Sequence, residues 1–174
     1  MNRLQFRGLN AADSPAALLN LINSAYRGTD GAGRWTTEAH LVAGDRISER
    51  DLQVLLVDPQ LHWLLAESSG EVCGCIAIKQ YPDVTELGTF AIAPSLQGTG
   101  LGKQLLAQAE SIAQSRLLPL QVTVVSLNSA LIQFYQRRGY QDTGLRLPYP
   151  VEQNVGTPLQ AGIELVVLQK SLRN

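Results

Sequence analysis

Cysteine is nearly absent from this 174-residue chain, with single copies at positions 73 and 75, and histidine occurs only as His40 and His62. A zinc site therefore lacks ligands at any normal spacing. Two residues apart in a strand, the thiols are expected on one face, where the geometry of a disulfide is poor. The expectation is two free thiols, the state a reducing compartment maintains. An excess of charge of either sign is also missing: 14 basic residues stand against 15 acidic ones, so no electrostatic footprint for nucleic acid or an anionic membrane exists. No apolar run approaches the length of a membrane span, and Met1-Asn2-Arg3-Leu4-Gln5-Phe6-Arg7 has no signal-peptide core. These absences predict a cytoplasmic protein. Internal repeats and low-complexity tracts are lacking too. What remains, 45% hydrophobic and 17% charged residues, describes an ordinary globule with one core, read as a single domain over 1–174.

The hydrophobic periodicity alternates between strand and helix. Strands are expected at 3–9, 60–67, 72–80, 85–93, 121–126, near 140–144 and at 162–169. Helices are expected from Asp13-Ser14-Pro15 to about Tyr26, briefly from Glu38, from Ser48 to Leu56, at 101–115 and at 129–138. Residues 27–36 read as a glycine-rich loop, and a second loop follows 144 with Pro148, Pro150, Gly156 and Pro158. Hairpins first and a crossover helix later imply a mixed sheet of six to seven strands with helices on both faces, an α/β fold.

The densest signal is Gln97-Gly98-Thr99-Gly100-Leu101-Gly102, set between the strand ending at Ala93-Pro94 and the helix carrying Leu101, Leu105, Leu106 and Ala109. Glycines there permit a tight turn and leave amide groups uncovered, and a helix start adds unpaired N–H groups and a positive dipole end. Such a corner suits a phosphate or pyrophosphate. A Walker A loop would need glycine at 97 and Ser or Thr at 104, both of which are Gln here. The dinucleotide fingerprint beginning at Gly98 would place its third glycine at 103, which is Lys. The spacing Gln97-x-x-Gly100-x-Gly102 instead resembles the pyrophosphate loop, Q/R-x-x-G-x-G/A, of GNAT-superfamily N-acetyltransferases. A second segment, Asn128 to Tyr140, is similar to that family's N-x-x-A-hydrophobic-x-(F/L)-Y-x-(K/R)-x-G-(F/Y) element, with the alanine displaced by one place. The resemblance is carried by residues 84–144.

The resemblance implies a GNAT fold and an acetyl-CoA-dependent transfer to an amine, with no metal. It implies that Phe90, Ala91 and Ile92 hold the pantetheine arm by their main chain, and that Gln97, Gly98, Thr99, Gly100, Leu101, Gly102 and Lys103 surround the pyrophosphate. Phe90 and Ile92 also fit plain core packing by their side chains. Tyr135 is the implied general acid on the departing thiolate, since a protonated phenol within reach can donate to sulfur. Otherwise its ring simply joins Leu131 and Phe134 on an apolar face. Asn128 is either a pantetheine contact or a helix N-cap. Glu86 is either the base that takes the amine proton or a solvated charge at a strand end.

The family's acceptor pocket maps to residues 27–36, with Arg27, Asp30, Arg34 and Trp35, and to 145–160, with Arg146, Tyr149 and Glu152. Arg34 beside Trp35 would suit a carboxylate against an aromatic wall. The leading expectation is acetylation of a small-molecule amine by direct attack in a ternary complex, by a monomer or homodimer. A protein lysine or N-terminal acetyltransferase and a non-catalytic acyl-CoA-binding module are the alternatives.

Overall fold

The computed structural model describes residues 3–28 and 37–172. Its elements in chain order are β1 (Leu4–Gly8), α1 (Pro15–Arg27), β2 (Val42–Ala43), α2 (Glu49–Leu56), β3 (Leu61–Ser68), β4 (Glu71–Gln80), β5 (Thr85–Ile92), α3 (Leu101–Ala113), β6 (Leu120–Val125), α4 (Ser129–Gln136), β7 (Gln141–Pro148), β8 (Thr157–Pro158) and β9 (Glu164–Lys170). Seven strands form one mixed sheet in the order β1-β3-β4-β5-β6-β9-β7, with β5 and β6 parallel and every other neighbour antiparallel. No helix among the described residues is long and apolar enough to cross a membrane.

Local chemistry explains the helix starts. Ser14 accepts the Ala17 amide at 3.2 Å, with Pro15 at the first helical position, and Ser48 accepts the Asp51 amide at 3.1 Å. Apolar stripes then dock the helices on opposite faces of the sheet. Leu18, Leu21 and Ile22 of α1 and Leu52 of α2 pack with Trp63, Leu65 and Ala77. Leu105, Leu106 and Ala109 of α3 and Phe134 of α4 pack with Leu64, Ile76, Ile78 and Val122 on the other.

Three expectations are corrected. The segment from Glu38 is not a helix: it turns and enters β2, which pairs with β8 in a separate two-stranded ribbon. The reason is tertiary, since the Glu38 carboxylate is drawn inward to Arg27 at 3.4 Å. The late strand continues past 144 to Pro148, so Arg146 lies within β7 rather than in a loop. Finally, Cys73 and Cys75 do not share a face. The β3–β4 register slips between Ala66 and Glu67, leaving Cys73 as an extra residue. That bulge turns Cys73 into the α3 side of the core while Cys75 packs on the α1 side.

Candidate active site

The feature that opens the sheet is the pairing of β5 with β6. The two strands are in register only at Thr85↔Leu120 and Glu86↔Gln121, after which they part. Beyond Glu86, the edge of β5 that faces β6 has no neighbouring strand. A cavity of about 910 Å3 occupies the gap and reaches both faces of the sheet.

On one side the wall is the turn into α3. Gly98 and Gly100 have φ of +79° and +87°, and a Cβ built at either meets nothing within 4 Å. Gly100 is the N-cap of α3 and offers no side-chain cap, unlike Ser14, Ser48 and Asn128 at the other α-helices. The first-turn amides of α3 therefore point into open space at the positive end of a helix. Lys103, Arg137 and Arg138 line the same side. The Arg138 guanidinium lies 3.7 Å from the centroid of the Phe134 ring and donates to the Phe134 carbonyl at 2.7 Å. Burial, with Arg137 beside it, pulls this guanidinium below its ordinary pKa, and its Nε is buried with no hydrogen-bond partner. Three cations around uncapped amides fit a phosphorylated ligand, whose charge would relieve the desolvated Arg138.

Inside the gap, β5 carries a bulge against β4. Cys75 pairs with Ala91 and Ala77 with Gly88, so Thr89 and Phe90 face Ile76 alone, and Thr89 takes φ of +46°. The bulge turns the Phe90 amide out of the ladder, where it donates to the Tyr26 hydroxyl at 3.1 Å. Burial pushes the Tyr26 phenol up to about 12. Tyr135 also lines the cavity, 4% exposed, its ring edge-on to Phe134 and Tyr140 with centroids 5.4 and 5.3 Å apart. Burial raises this phenol well above its ordinary value, and the nearby Tyr26 hydroxyl adds to the effect.

Glu86 is half-buried at the closed end of the gap. Desolvation raises its carboxyl, against the lowering effects of a hydrogen bond from Gln121 and the charge of Lys79, which is opposite it on β4. The α1–α2 side of the cavity is lined by Arg46, Asp51, Leu55, Leu61 and Tyr81.

The expected site residues are thus partly assembled. Glu86, Phe90, Ile92 and Tyr135 line the cavity, as do Gln97, Gly98, Gly100, Gly102 and Lys103 of the loop. Ala91 packs in the α1-side core, Leu101 is buried against the sheet, and the Thr99 hydroxyl folds back on the Leu96 carbonyl. Asn128 stands outside the cavity lining: it caps α4 by accepting the Leu131 amide at 3.3 Å and also hydrogen-bonds Glu38. Of the acceptor-loop residues, Asp30, Arg34 and Trp35 lie outside the described residues. Arg146 pairs with Asp142 at 2.8 Å on the exposed strand, and Glu152 is exposed. Arg27 is the centre of a buried knot. It pairs with Glu38 and donates to the Gly44 and Val155 carbonyls at 3.0 and 2.8 Å and to the Tyr149 hydroxyl at 3.0 Å. Tyr26 and Arg46 carry no sequence signal for the cavity, because their partners are a distant backbone amide and each other.

This split between two parallel strands, with a glycine-rich helix start facing it, lies within a stretch of sequence that matches a family model. Residues 17–140 match the acetyltransferase (GNAT) family. The chain belongs to that family. Among curated GNAT relatives, N-alpha-acetyltransferase RimI of Mycobacterium tuberculosis is 31% identical over 98 residues, covering 54% of this chain and 61% of the relative. The aminoalkylphosphonate N-acetyltransferase of Salmonella typhimurium is 31% identical over 100 residues, covering 52% of this chain and 64% of the relative. The matches therefore span less than two thirds of those proteins. A GNAT family acetyltransferase from Elizabethkingia anophelis, solved with acetyl-CoA bound, superposes with a TM-score of 0.71 at 18% identity, covering 97% of this chain and 98% of that one. At that identity the likeness is one of fold.

Proposed function

We propose that this GNAT protein transfers the acetyl group of acetyl-CoA to the primary amine of a small molecule, both substrates being bound together. The observation that carries the reading is the single cavity through the β5–β6 split, cationic and amide-lined at the α3 mouth and mixed in charge at the α1–α2 mouth. The pyrophosphate of acetyl-CoA fits the uncapped turn at Gly98, Gly100 and Gly102 with Lys103 and Arg138. Its extended arm fits the unpaired edge of β5, and its thioester supplies an activated acetyl carbon.

In the reaction the amine nitrogen bonds to that carbon, the carbon–sulfur bond breaks, the nitrogen loses a proton and the sulfur gains one. Glu86 is the group that takes the amine proton, directly or through water, and desolvation moves its basicity toward the working range. The Phe90 amide, already turned out of the ladder, is a preset donor for the carbonyl oxygen once the Tyr26 hydroxyl yields it. The Tyr135 phenol is protonated near neutral pH, burial raising it further, so its hydroxyl can donate to the leaving sulfur. Asn128 acts on this site through α4, by fixing the first turn of the helix that carries Tyr135.

A second reading, acetylation of a protein N-terminus, is favoured by the name of the mycobacterial relative. Two measurements test the proposal. Acetyl-CoA should raise the melting temperature far more than NAD or ATP, because a ligand of the folded state adds RT ln(1 + [L]/Kd). Thiol release should then be read with amino acids, polyamines, aminoglycosides and peptides as acceptors. A melting curve unmoved by millimolar acetyl-CoA overturns the cofactor assignment, and turnover confined to peptides favours the second reading.

A further inference from the structure

We propose that the acceptor is an amine bearing its own carboxylate a few atoms away, and that the Arg46 guanidinium receives that carboxylate. This rests on the acetyl-transfer reading of the cavity and names the substrate class for its α1–α2 mouth. Arg46 precedes α2, and its backbone is pinned from α1: Asn23 Oδ1 accepts the Arg46 and Ile47 amides at 2.9 and 3.1 Å, and Asn23 Nδ2 donates to the Ile47 carbonyl at 3.0 Å. From that fixed base the guanidinium lies 5.3 Å from the centroid of the Tyr26 ring and lines the cavity. A cation stacked in this way is held without being neutralised.

No carboxylate among the described residues is within ion-pair distance of it. Glu38 feels the charge of Arg46 from beyond ion-pair distance, but its carboxylate is held by Arg27, at 3.4 Å, and by a hydrogen bond from Asn128. Asp51, also in the wall, accepts the Ser48 hydroxyl at 2.7 Å within the cap of α2. The other cation at this mouth, Lys79, lies over the Tyr81 ring at 5.4 Å and stands across the strands from Glu86. Among the described residues, Arg46 is therefore the cation at this mouth with no carboxylate in ion-pair contact.

Its position is what makes the class specific. The Tyr26 hydroxyl meets the Phe90 amide, so Arg46 stands one tyrosine's length from the point where the acetyl carbonyl would be polarised. An amine attacking there places an attached carboxylate within reach of Arg46, and Glu86, in the wall of the same cavity, takes the amine proton. A guanidinium fork matches a carboxylate in two parallel hydrogen bonds. Leu55, Leu61 and Tyr81 complete the mouth with apolar surface, which suits an amino acid with an apolar side chain.

The test uses the acetylated products, because converting a carboxylate to an amide also changes the basicity of the free amine. Binding of N-acetyl-leucine, N-acetyl-phenylalanine and their carboxamides to the full chain with coenzyme A present is measured by titration calorimetry. The carboxylates should bind about tenfold to a hundredfold more tightly than the carboxamides, the range for a charge-assisted pair. Arg46→Gln should abolish that preference and Arg46→Lys should restore part of it, with coenzyme A affinity unchanged in both. Equal binding of acid and amide by the unmodified protein, or binding of neither, overturns the proposal while leaving acetyl transfer standing. Failure of the unmodified protein to bind coenzyme A at all overturns both.

Discussion

Replacing Tyr135 by Phe separates an enzyme from a binding module, and the structure sets the size of each effect. The ring is wedged edge-on between Phe134 and Tyr140 and also faces Phe90 with a centroid separation of 6.5 Å. Phe keeps all three contacts, and the lost hydroxyl belongs to a residue on the cavity wall, so the melting temperature should barely move. If the hydroxyl donates to the departing sulfur, its loss should lower kcat on the order of 10²- to 10⁴-fold. At about 1.4 kcal/mol per tenfold, that is roughly 3 to 5 kcal/mol of transition-state stabilisation. Affinity for acetyl-CoA should hold, because the interaction grows only as charge develops on sulfur. Steady-state thiol release, with KM for acetyl-CoA and a melting curve alongside, reads all three quantities. Full turnover by Tyr135→Phe on an accepted amine refutes the role of the hydroxyl. A matched loss of turnover and melting temperature would refute the claim that the ring alone carries the packing.

Two further substitutions address the base and the loop. Glu86→Gln keeps the size of the side chain and should lower kcat and remove the acid limb of the pH–rate profile; an unaltered limb rules Glu86 out. Because the folded pKa of Glu86 lies above its unfolded one, stability should decline as pH rises through that window, and Glu86→Gln should remove the decline in pH-dependent melting. At Gly102 an added Cβ meets Ile92 and Phe90 at an ordinary 3.6 Å, so the backbone leaves room for Gly102→Asp, whose negative charge in the cavity wall should raise KM for acetyl-CoA steeply while a melting curve checks that the fold is kept. An unchanged KM would refute the pocket.

The parts of the fold carried by local chemistry could be read from the sequence. Ser14-Pro15 and Ser48 announce helices in any context, and the glycines at 98 and 100 mark a turn because their positive φ disfavours other residues. What escaped reading depends on partners distant in sequence. Glu38 looks helical until Arg27 draws it inward, and the ribbon of β2 with β8 is too short to show a period. Strand alternation assigns Cys73 and Cys75 to one face and fails only because an unpaired residue intervenes. At the site, glycine spacing and the Asn128–Tyr140 motif led to the loop, Glu86 and Tyr135, whereas the Phe90–Tyr26–Arg46 chain joins three elements that no short window contains.

That intervening residue makes the two thiols independent witnesses. Cys73 lies in the layer beneath α3, and Cys75 lies in the layer beneath α1, next to the bulge that frees the Phe90 amide. Desolvation raises both thiols, Cys75 to about 12, so neither offers thiolate to a reagent while its layer stays shut. Alkylation of Cys73 would time the loosening of the side that carries α3 and its glycine turn, and alkylation of Cys75 the loosening of the side that carries α1 and α2. The chain thus has a separate clock on each face of the sheet that the cavity divides.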